Sequence, residues 1–292
     1  MKLITFDDGR VGRIDGDAVV ELDVPDMRTY FERGGEVAPS GRELALADVT
    51  LRAPLVPRKF FHTAGNFREH HEESERVNWS HPVLPWIVFF QNVDAIIGPD
   101  EAVVYPDALT KEMDYELELA AVIGKAGKFF SPEEAEEYIA GYLIFNDITA
   151  RDIQRQEMKS GVFSLCKGID TFCPIGPWIV TPDELGDPQN LSMELRVNGE
   201  ARQVSHTSKM SVTVAEIISH YSPMGYSAGD IISTGTVAGV AGFSEDAESL
   251  YLRPGDVVEA EIEKIGVLRN PIISWSERYG EPATGTGSRA SA

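Results

Sequence analysis

The sequence has no apolar run that approaches the roughly 20 residues needed to span a membrane as a helix. Its first residues, MKLITFDDGR, lack the long apolar centre of a signal peptide. Basic residues are also few, because 26 Lys and Arg stand against 47 Asp and Glu, for a formal net charge of −21. Nucleic acid and anionic lipid both require a basic face, so neither is an expected partner. We therefore expect a cytoplasmic protein.

Cysteine is scarce as well. Cys166 and Cys173 form neither a CxxC pair nor part of a zinc quartet, which predicts two free thiols in a reducing compartment. The sequence also has no cluster of histidines or cysteines that would indicate a softer metal. A chain of 292 residues with 42% hydrophobic residues can bury a core without disulfides. In so acidic a protein, a small anionic substrate would need local cations or a bound metal.

Strand patterns dominate the sequence. Apolar runs such as PWIVFF, AAVIG, GYLIFND, GPWIV and DIISTG predict strands, and alternation around Asn198-Gly199 predicts a hairpin. Helical patterns are few: MRTYFERGG, SPEEAEEYIAG after Ser131, and MSVTVAEIISHY after Ser208. These patterns predict an α+β fold that is predominantly β.

The chain divides at a proline-rich stretch. Short strands and a helix make a small N-terminal α/β unit over residues 1–57, which ends in LRAPLVPRKF. Residues 58–278 form the larger, strand-rich domain of the prediction. Residues 279–292, which end in EPATGTGSRASA, are predicted to be a disordered tail.

One short motif resembles a serine-hydrolase nucleophile elbow. Residues 225–229, GYSAG, match GxSxG, but that elbow requires a strand before the serine and a helix after it. Here a helical pattern precedes the motif and the strand DIIST follows. The sequence therefore favours a polar turn that leads into a strand.

The stretch DYELELAAVIG, residues 114–124, indicates a possible metal site. As a strand, it places Asp114, Glu116 and Glu118 on one face and its apolar residues on the other. VVEAEIEKIG alternates its glutamates in the same way, so spacing alone favours a solvated face over a metal site. The neighbouring residues must distinguish the two interpretations.

A second strand supports the metal site. GYLIF ends in Asn146-Asp147, and an acidic residue at the end of a buried strand is costly unless it is paired or coordinated. Carboxylates from two neighbouring strands would offer the hard oxygen ligands that Mg²⁺, Mn²⁺ or Ca²⁺ prefers.

Residues 60–271 carry a resemblance to a known family. The matching stretches, in order, are AGNFREHHEE, MDYELELAAVIGK, GYLIFNDITARDIQ, KGIDTFCPIGPWIV, the NGE hairpin, HTSKM, AGDIISTGTVAGV and RPGDVVEAEIEKIGVLRNP. Their order and spacing resemble the fumarylacetoacetate hydrolase family, of the acylpyruvase or 2-hydroxyhepta-2,4-diene-1,7-dioate isomerase type. The resemblance implies a mixed β-roll or sandwich catalytic domain and a homodimer. It also implies Mg²⁺ or Mn²⁺, with Ca²⁺ possible in a crystal, held by Glu116, Glu118 and Asp147.

The resemblance also implies a lid with a catalytic pair. In NFREHHEE the family's histidine and glutamate fall on His70 and Glu73, one helical turn apart, where the carboxylate would orient the imidazole as a general base. We expect the lid, residues 66–81, to be mobile without substrate. Phe67 replaces a usual tyrosine, and His71 leaves open which histidine faces the site. His70 as an ordinary exposed residue is the alternative.

The remaining implied roles concern the substrate. Arg151, Gln154 and Lys167 are similar to family residues that hold the carboxylate and oxo groups of the substrate. Lys167 would also stabilise an enolate. Thr236 corresponds to a substrate-binding threonine. Val237 replaces a common proline. Arg151 and Lys167 could instead be structural ion-pair partners.

Three functions are compatible with these residues. The first is a divalent-metal-dependent hydrolase that cleaves a C–C bond in a 2,4-diketo acid, acylpyruvate-like or fumarylacetoacetate-like, through a metal-stabilised enolate. The second is an isomerase, decarboxylase or dehydratase of 2-hydroxy-dienedioates or 2-oxo-3-deoxy sugar acids on the same site, since one scaffold can host several reactions. The third is a non-catalytic binding protein. In each case the expected ligand is a small anionic oxo acid.

Overall fold

The computed structural model describes residues 1–76, 86–162 and 164–280, and strands predominate in it, as predicted. The largest sheet has the order β4-β3-β2-β1-β14-β12-β11-β17-β6-β7, with β5 beside β1 and β8 beside β14. Its strands are β1 (Lys2–Phe6), β2 (Arg10–Asp15), β3 (Ala18–Leu22), β4 (Pro39–Ala45), β5 (Leu51–Arg52), β6 (Phe60–Ala64), β7 (Ile87–Phe90), β8 (Ile96–Ile97), β11 (Leu117–Ile123), β12 (Ile139–Asn146), β14 (Cys173–Val180) and β17 (Ile231–Thr236).

A second sheet has the order β16-β15-β18-β19-β9, and a short pair joins β10 to β13. These strands are β9 (Val103–Tyr105), β10 (Met113–Asp114), β13 (Thr149–Ala150), β15 (Ser192–Val197), β16 (Glu200–His206), β18 (Val257–Ile262) and β19 (Gly266–Ser274). Asn198 and Gly199, with φ of 54° and 80°, make the turn between β15 and β16. This confirms the predicted hairpin, since both residues adopt the positive φ that a type I′ turn requires.

The helices are short and lie around the sheets. They are α1 (Met27–Glu32), α2 (Arg68–Arg76), α3 (Pro132–Ala135), α4 (Arg151–Glu157), α5 (Leu165–Gly168), α6 (Pro182–Leu185), α7 (Val214–Tyr221), α8 (Ala247–Leu250) and α9 (Trp275–Tyr279). Capping boxes begin α3 at Ser131 and α7 at Thr213. Residues 225–229 follow α7 and precede β17, so the polar-turn interpretation of GYSAG is confirmed. No helix of the described residues is long and apolar enough to cross a membrane.

The central strand β11 is buried on both faces, which explains its almost continuous apolar sequence LELAAVI. Leu117 and Leu119 join a core cluster with residues of the second sheet such as Leu195. Ala120 and Val122, on the opposite face, pack in a cluster that includes residues of the N-terminal strands. Side chains from β11 therefore reach the interior whichever way they point.

The strand predicted over residues 114–124 is interrupted, which corrects that expectation. β10 ends at Asp114 and β11 begins at Leu117, so residues 115 and 116 belong to neither strand. The reason is that residue 114 pairs with Thr149 of β13, whereas Leu117 pairs with Asn146 of β12. The chain therefore changes partner strand between them.

Two predictions extend beyond the described residues. Residues 77–81 of the predicted lid and residues 281–292 of the predicted tail lie outside them.

Candidate metal centre and active site

Three carboxylates converge where β11 begins and β12 ends. Leu117 pairs with Asn146 across the two antiparallel strands, and the backbone N–H of Asp147 donates to the carbonyl of Glu116 at 2.9 Å. The side chains of Glu116, Glu118 and Asp147 are all buried. The structure thus brings together the three residues that the resemblance offered as metal ligands.

Lys167 lies within this cluster. Its Nζ is 2.5 Å from Asp147 Oδ2 and 3.0 Å from Glu116 Oε2, and it donates to Thr149 Oγ1 at 2.7 Å. The short helix α5 brings Lys167 into the interior, where its side chain is 4% exposed. So buried an ammonium group needs such partners, because an unpaired charge there would be very costly.

Arg151 binds the other side of the cluster. Its Nε is 2.7 Å from Asp114 Oδ2 and a terminal nitrogen is 2.7 Å from Glu116 Oε1. Its second terminal nitrogen donates to Gln154 Oε1 at 2.9 Å, so Gln154 contacts the guanidinium as well. Asp114 also accepts from the N–H of Ala241 at 2.9 Å. Asp114 is therefore an anchor for Arg151, a role that strand periodicity alone does not indicate.

Acidic groups outnumber basic groups in the cluster. Four buried carboxylates and two buried cations leave a formal excess of two negative charges (4 − 2 = 2); they are Asp114, Glu116, Glu118, Asp147, Lys167 and Arg151. An excess of two negative charges in a buried cluster matches the charge of one divalent cation.

The carboxyl pKa values reflect that excess. Burial disfavours ionisation of Glu116, but Lys167 and Arg151 outweigh burial and lower the pKa of Glu116 to about 2. Burial together with the negative charge of Glu116 raises the pKa of Glu118 to about 8. Glu118, which accepts a hydrogen bond from Ser233, is thus the carboxylate that most lacks a positive partner.

Several polar atoms at this place have no hydrogen-bond partner among the described residues. They include Asp147 Oδ1 and both ring nitrogens of His62, all buried. One ligand atom each from His62, Glu118 and Asp147 lies within 4.8 Å of the others, so this group could hold a metal ion. Sequence reasoning missed His62. The signal that could have found it is a histidine inside the apolar run KFFHTAG.

The predicted lid pair lies beside the cluster. His70 and Glu73 are both on α2, and His70 Nδ1 is 3.3 Å from Glu73 Oε2. The N–H of Gly239 donates to both Glu73 oxygens, at 3.1 and 3.2 Å, and so fixes the carboxylate. The ring of His70 stacks on Phe243 with centroids 5.1 Å apart, and the guanidinium of Arg151 lies 5.7 Å from the same ring. Phe243 therefore contacts both the lid histidine and the predicted substrate-binding arginine.

The two adjacent histidines differ in surroundings. His70 is 6% exposed and faces Phe243, whereas His71 is 3.6 Å from the exposed Glu75. The question that the sequence left open is answered in favour of His70 as the histidine that faces the site.

Thr236 is buried at the end of β17. Its hydroxyl donates to the carbonyl of Leu117 at 3.2 Å and accepts from Gln203 Nε2 at 3.1 Å. These contacts tie Thr236 to the start of β11; its role toward a substrate stays a prediction.

Comparison with known proteins identifies the family. Residues 59–273 match the model described as fumarylacetoacetate (FAA) hydrolase, C-terminal, and residues 1–54 match the model described as Rv2993c-like, N-terminal. The chain belongs to the fumarylacetoacetate hydrolase family. The predicted family and fold class are thereby confirmed.

Relatives within the family differ in reaction. A 2,4-didehydro-3-deoxy-L-rhamnonate hydrolase of Sphingomonas sp. (strain SKA58) is 41% identical over 72% of this chain and 71% of the relative. The mitochondrial oxaloacetate tautomerase Fahd2a of Rattus norvegicus is 36% identical over 88% and 85%. The solved structure of a maleylpyruvate hydrolase from Sphingobium sp. SYK-6, in complex with manganese(II) and pyruvate, aligns with a TM-score of 0.74 and 27% identity over 94% and 99%. The chain is thus a family enzyme whose relatives include hydrolases and a tautomerase.

Proposed function

We propose that this enzyme hydrolyses a C–C bond in a 2,4-diketo acid with the help of a divalent metal ion. The observation that carries the proposal is Phe243, whose ring contacts both His70 and Arg151. Phe243 thus places His70, which is hydrogen-bonded to Glu73, next to the buried cluster of carboxylates and cations. The Sphingomonas hydrolase supports this substrate class, because the 2,4-didehydro-3-deoxy acid in its name has oxidised carbons at positions 2 and 4.

Glu116, Glu118 and Asp147 would hold the cation. Their oxygens are hard ligands, the buried cluster around them has a formal excess of negative charge that a cation would offset, and Asp147 Oδ1 has no hydrogen-bond partner among the described residues. When bound, Mg²⁺ or Mn²⁺ would polarise the substrate carbonyl and stabilise negative charge on oxygen.

Arg151 and Lys167 would bind the anionic substrate. Gln154 and Asp114 hold the guanidinium of Arg151 in place, so little side-chain entropy remains to be lost on binding. Burial opposes the charge on Lys167, but Asp147 and Glu116 outweigh it and raise the pKa of Lys167. Lys167 therefore remains a cation that can donate hydrogen bonds to a developing oxyanion.

His70 would remove a proton from water. If Nδ1–H donates to Glu73, the lone pair on Nε2 is free to accept that proton. The hydroxide so formed attacks the C4 carbonyl, and the bond between C3 and C4 breaks. The products are a carboxylic acid and the enolate of a 2-oxo acid, which a proton returned from His70 converts to the keto form.

Isotope labelling tests the reaction type. The enzyme with Mg²⁺ would be incubated in ¹⁸O-water with each of five substrates: acetylpyruvate, fumarylacetoacetate, oxaloacetate, a 2-hydroxy-hexadienedioate and a 2-oxo-3-deoxy pentonate. The masses of the products would be measured by mass spectrometry. We expect cleavage of a diketo acid with one solvent oxygen in the released acid. Turnover of the pentonate or dienedioate without cleavage of either diketo acid would overturn the hydrolase assignment.

A tautomerase is the second candidate, and the rat relative favours it. Moving a proton between carbon and oxygen of oxaloacetate requires a group that carries the proton, for which His70 is available, and cations that stabilise the enolate, but no attacking water. In that case oxaloacetate would be tautomerised, His70→Ala would slow that reaction, and no diketo acid would be cleaved.

A further inference from the structure

His62 lies beside Glu118 and Asp147 of the carboxylate cluster and has no role in the proposed reaction. It is 1% exposed, on β6, between two phenylalanine rings that are nearly parallel to it. The centroids of Phe60 and Phe89 are 4.9 and 4.4 Å from that of the imidazole, with interplanar angles of 7° for both. These rings fix the orientation of the imidazole.

Both ring nitrogens of His62 lack a hydrogen-bond partner among the described residues. Buried polar side chains are almost always hydrogen-bonded, so a fully buried imidazole with two unpartnered nitrogens requires an explanation. A metal ion that accepts the lone pair of Nδ1 would supply a partner for one of these two nitrogens.

The distances suit metal coordination. His62 Nδ1 is 3.7 Å from Asp147 Oδ2 and 3.9 Å from Glu118 Oε2. Two atoms that bind one ion at about 2.1 Å each can be at most about 4.2 Å apart, and both separations meet that limit. Neither reaches hydrogen-bond distance, so the imidazole is close to the carboxylates but not bonded to them.

One contact must be shared for an ion to bind here. Lys167 already donates to Asp147 Oδ2, whereas Asp147 Oδ1 has no hydrogen-bond partner in the described parts of the chain. Because the 3.7 Å separation from His62 Nδ1 is to Oδ2, an ion between His62 and Asp147 would share Oδ2 with Lys167, while Oδ1 remains available as a second contact.

We propose that His62 supplies a nitrogen ligand to the cation held by Glu118 and Asp147, and thereby shifts the metal preference from Mg²⁺ toward first-row transition ions. The inference rests on the divalent metal of the proposed function but not on its reaction type. Mg²⁺ binds chiefly through oxygen, whereas a mixed nitrogen and oxygen site favours ions such as Ni²⁺ over Mn²⁺ and gains most from an imidazole.

Pulsed electron paramagnetic resonance of the full-length protein with Mn²⁺, without substrate, tests the ligand. We expect nitrogen modulation from a directly bound histidine, which changes pattern when the protein carries ¹⁵N-labelled histidine. The modulation should disappear in His62→Phe, whose ring preserves the aromatic stack. It should persist in His70→Gln and in His220→Gln, the latter altering an exposed histidine of α7.

Calorimetric titration measures the preference. In His62→Phe the affinity for Ni²⁺ should fall by at least about tenfold relative to the affinity for Mg²⁺, since loss of even an outer partner of a metal site typically costs 10- to 100-fold. The smaller His62→Gln provides a second test if His62→Phe does not fold.

The outcomes separate the two proposals. Bound Mn²⁺ with no histidine nitrogen in the wild type, or nitrogen that persists without His62, overturns this inference and leaves the proposed metal-dependent reaction standing. Absence of any divalent metal binding overturns both. An unchanged ratio of Ni²⁺ to Mg²⁺ affinity in both variants contradicts the role of His62 in metal choice.

Discussion

At the scale of single residues, the adjacent histidines of α2 provide a matched pair of variants. His70 faces Phe243 and is bonded to Glu73, whereas His71 contacts only the exposed Glu75 among the acidic side chains of the described residues. We predict that His70→Ala lowers kcat by about 10²- to 10⁴-fold, the usual contribution of general-base catalysis, with little change in binding of a substrate analogue. His71→Ala should stay within a few-fold of wild type in the same steady-state assay. Equal losses in the two variants would contradict the assignment of His70 as the base.

The orientation of Arg151 depends on a glycine. A Cβ at Gly242 would lie 2.9 Å from both Cδ and Nε of Arg151, so Gly242→Ala must displace the guanidinium from Asp114. We predict a KM increase of roughly tenfold or more, because a hydrogen bond to a charged group contributes about 1.5–3 kcal/mol. Gly168→Ala is the control, since its Cβ would meet only Asn92 at 3.6 Å. Steady-state kinetics with unchanged KM in folded Gly242→Ala would show that Arg151 does not bind the substrate.

At the scale of elements, the short helix α5, which carries Lys167, has its N-terminus bound by a distant carboxylate. Glu157 accepts hydrogen bonds from the N–H groups of Ser164, Leu165 and Cys166 at 3.1, 2.9 and 3.1 Å. Burial disfavours its ionised form, yet these donors outweigh burial and lower the pKa of Glu157 below its usual 4.5. The contribution of Glu157 to stability is therefore present above pH 4.5 and is lost as the pH falls through its lower folded-state pKa.

We predict that Glu157→Gln reduces the free energy of unfolding by about 1 kcal/mol at pH 7, as loss of a helix cap does. The difference from wild type should shrink as the pH falls below 4.5, as measured by urea denaturation at several pH values. Glu248→Gln, which alters an exposed carboxylate paired with Arg253 at 3.5 Å, should show no such difference at any pH. A difference for Glu157→Gln that is constant with pH would mean that the ionised carboxylate is not the stabilising form.

The element predictions succeeded where a pattern was local. Apolar runs such as GYLIFND gave β12, and the capping-box spacing after Ser131 gave the start of α3. The helix expected after Ser208 begins only at Val214, where Thr213 and Glu216 form its capping box. The interruption of the 114–124 strand was not predictable, because both parts have strand-like sequences and only their different partner strands separate them.

At the scale of the whole molecule, the N-terminal strands extend the sheet that carries the site. β1 pairs with β14 through Lys2↔Val180 and Leu3↔Ile179, so one set of backbone hydrogen bonds joins residues of the two predicted units. Leu3 is fully buried in a cluster with Ile179. The homodimer and the domain boundary near residue 57 stay predictions.

We predict that the chain unfolds in one transition despite its two predicted units. Leu3→Ala should lower the midpoint of that transition by an amount equivalent to about 2–5 kcal/mol, the cost of truncating a buried leucine. The transition measured by circular dichroism should coincide with the transition measured by tryptophan fluorescence. Trp178 lies beside Lys2, where β1 pairs with β14, so its fluorescence reports on the contact between the two predicted units. Val204→Ala, at a position that is 65% exposed, should change stability by less than about 0.5 kcal/mol. A separate early transition in Leu3→Ala would show that the N-terminal unit unfolds independently.

The sequence by itself determined the family, the predominance of strands, and the residues that could supply the site. Family motifs and periodicity are properties of neighbouring residues, so Glu116 and Glu118, or His70 and Glu73, can be found as pairs along the chain. Tertiary structure alone decided which of these groups meet. Asp114 became the anchor of Arg151 because β10 pairs with β13, which leads into α4. His62 came within 3.9 Å of Glu118 because β17 joins β6 to β11 in one sheet. Contacts of that kind depend on strand order and register, and no local pattern encodes these.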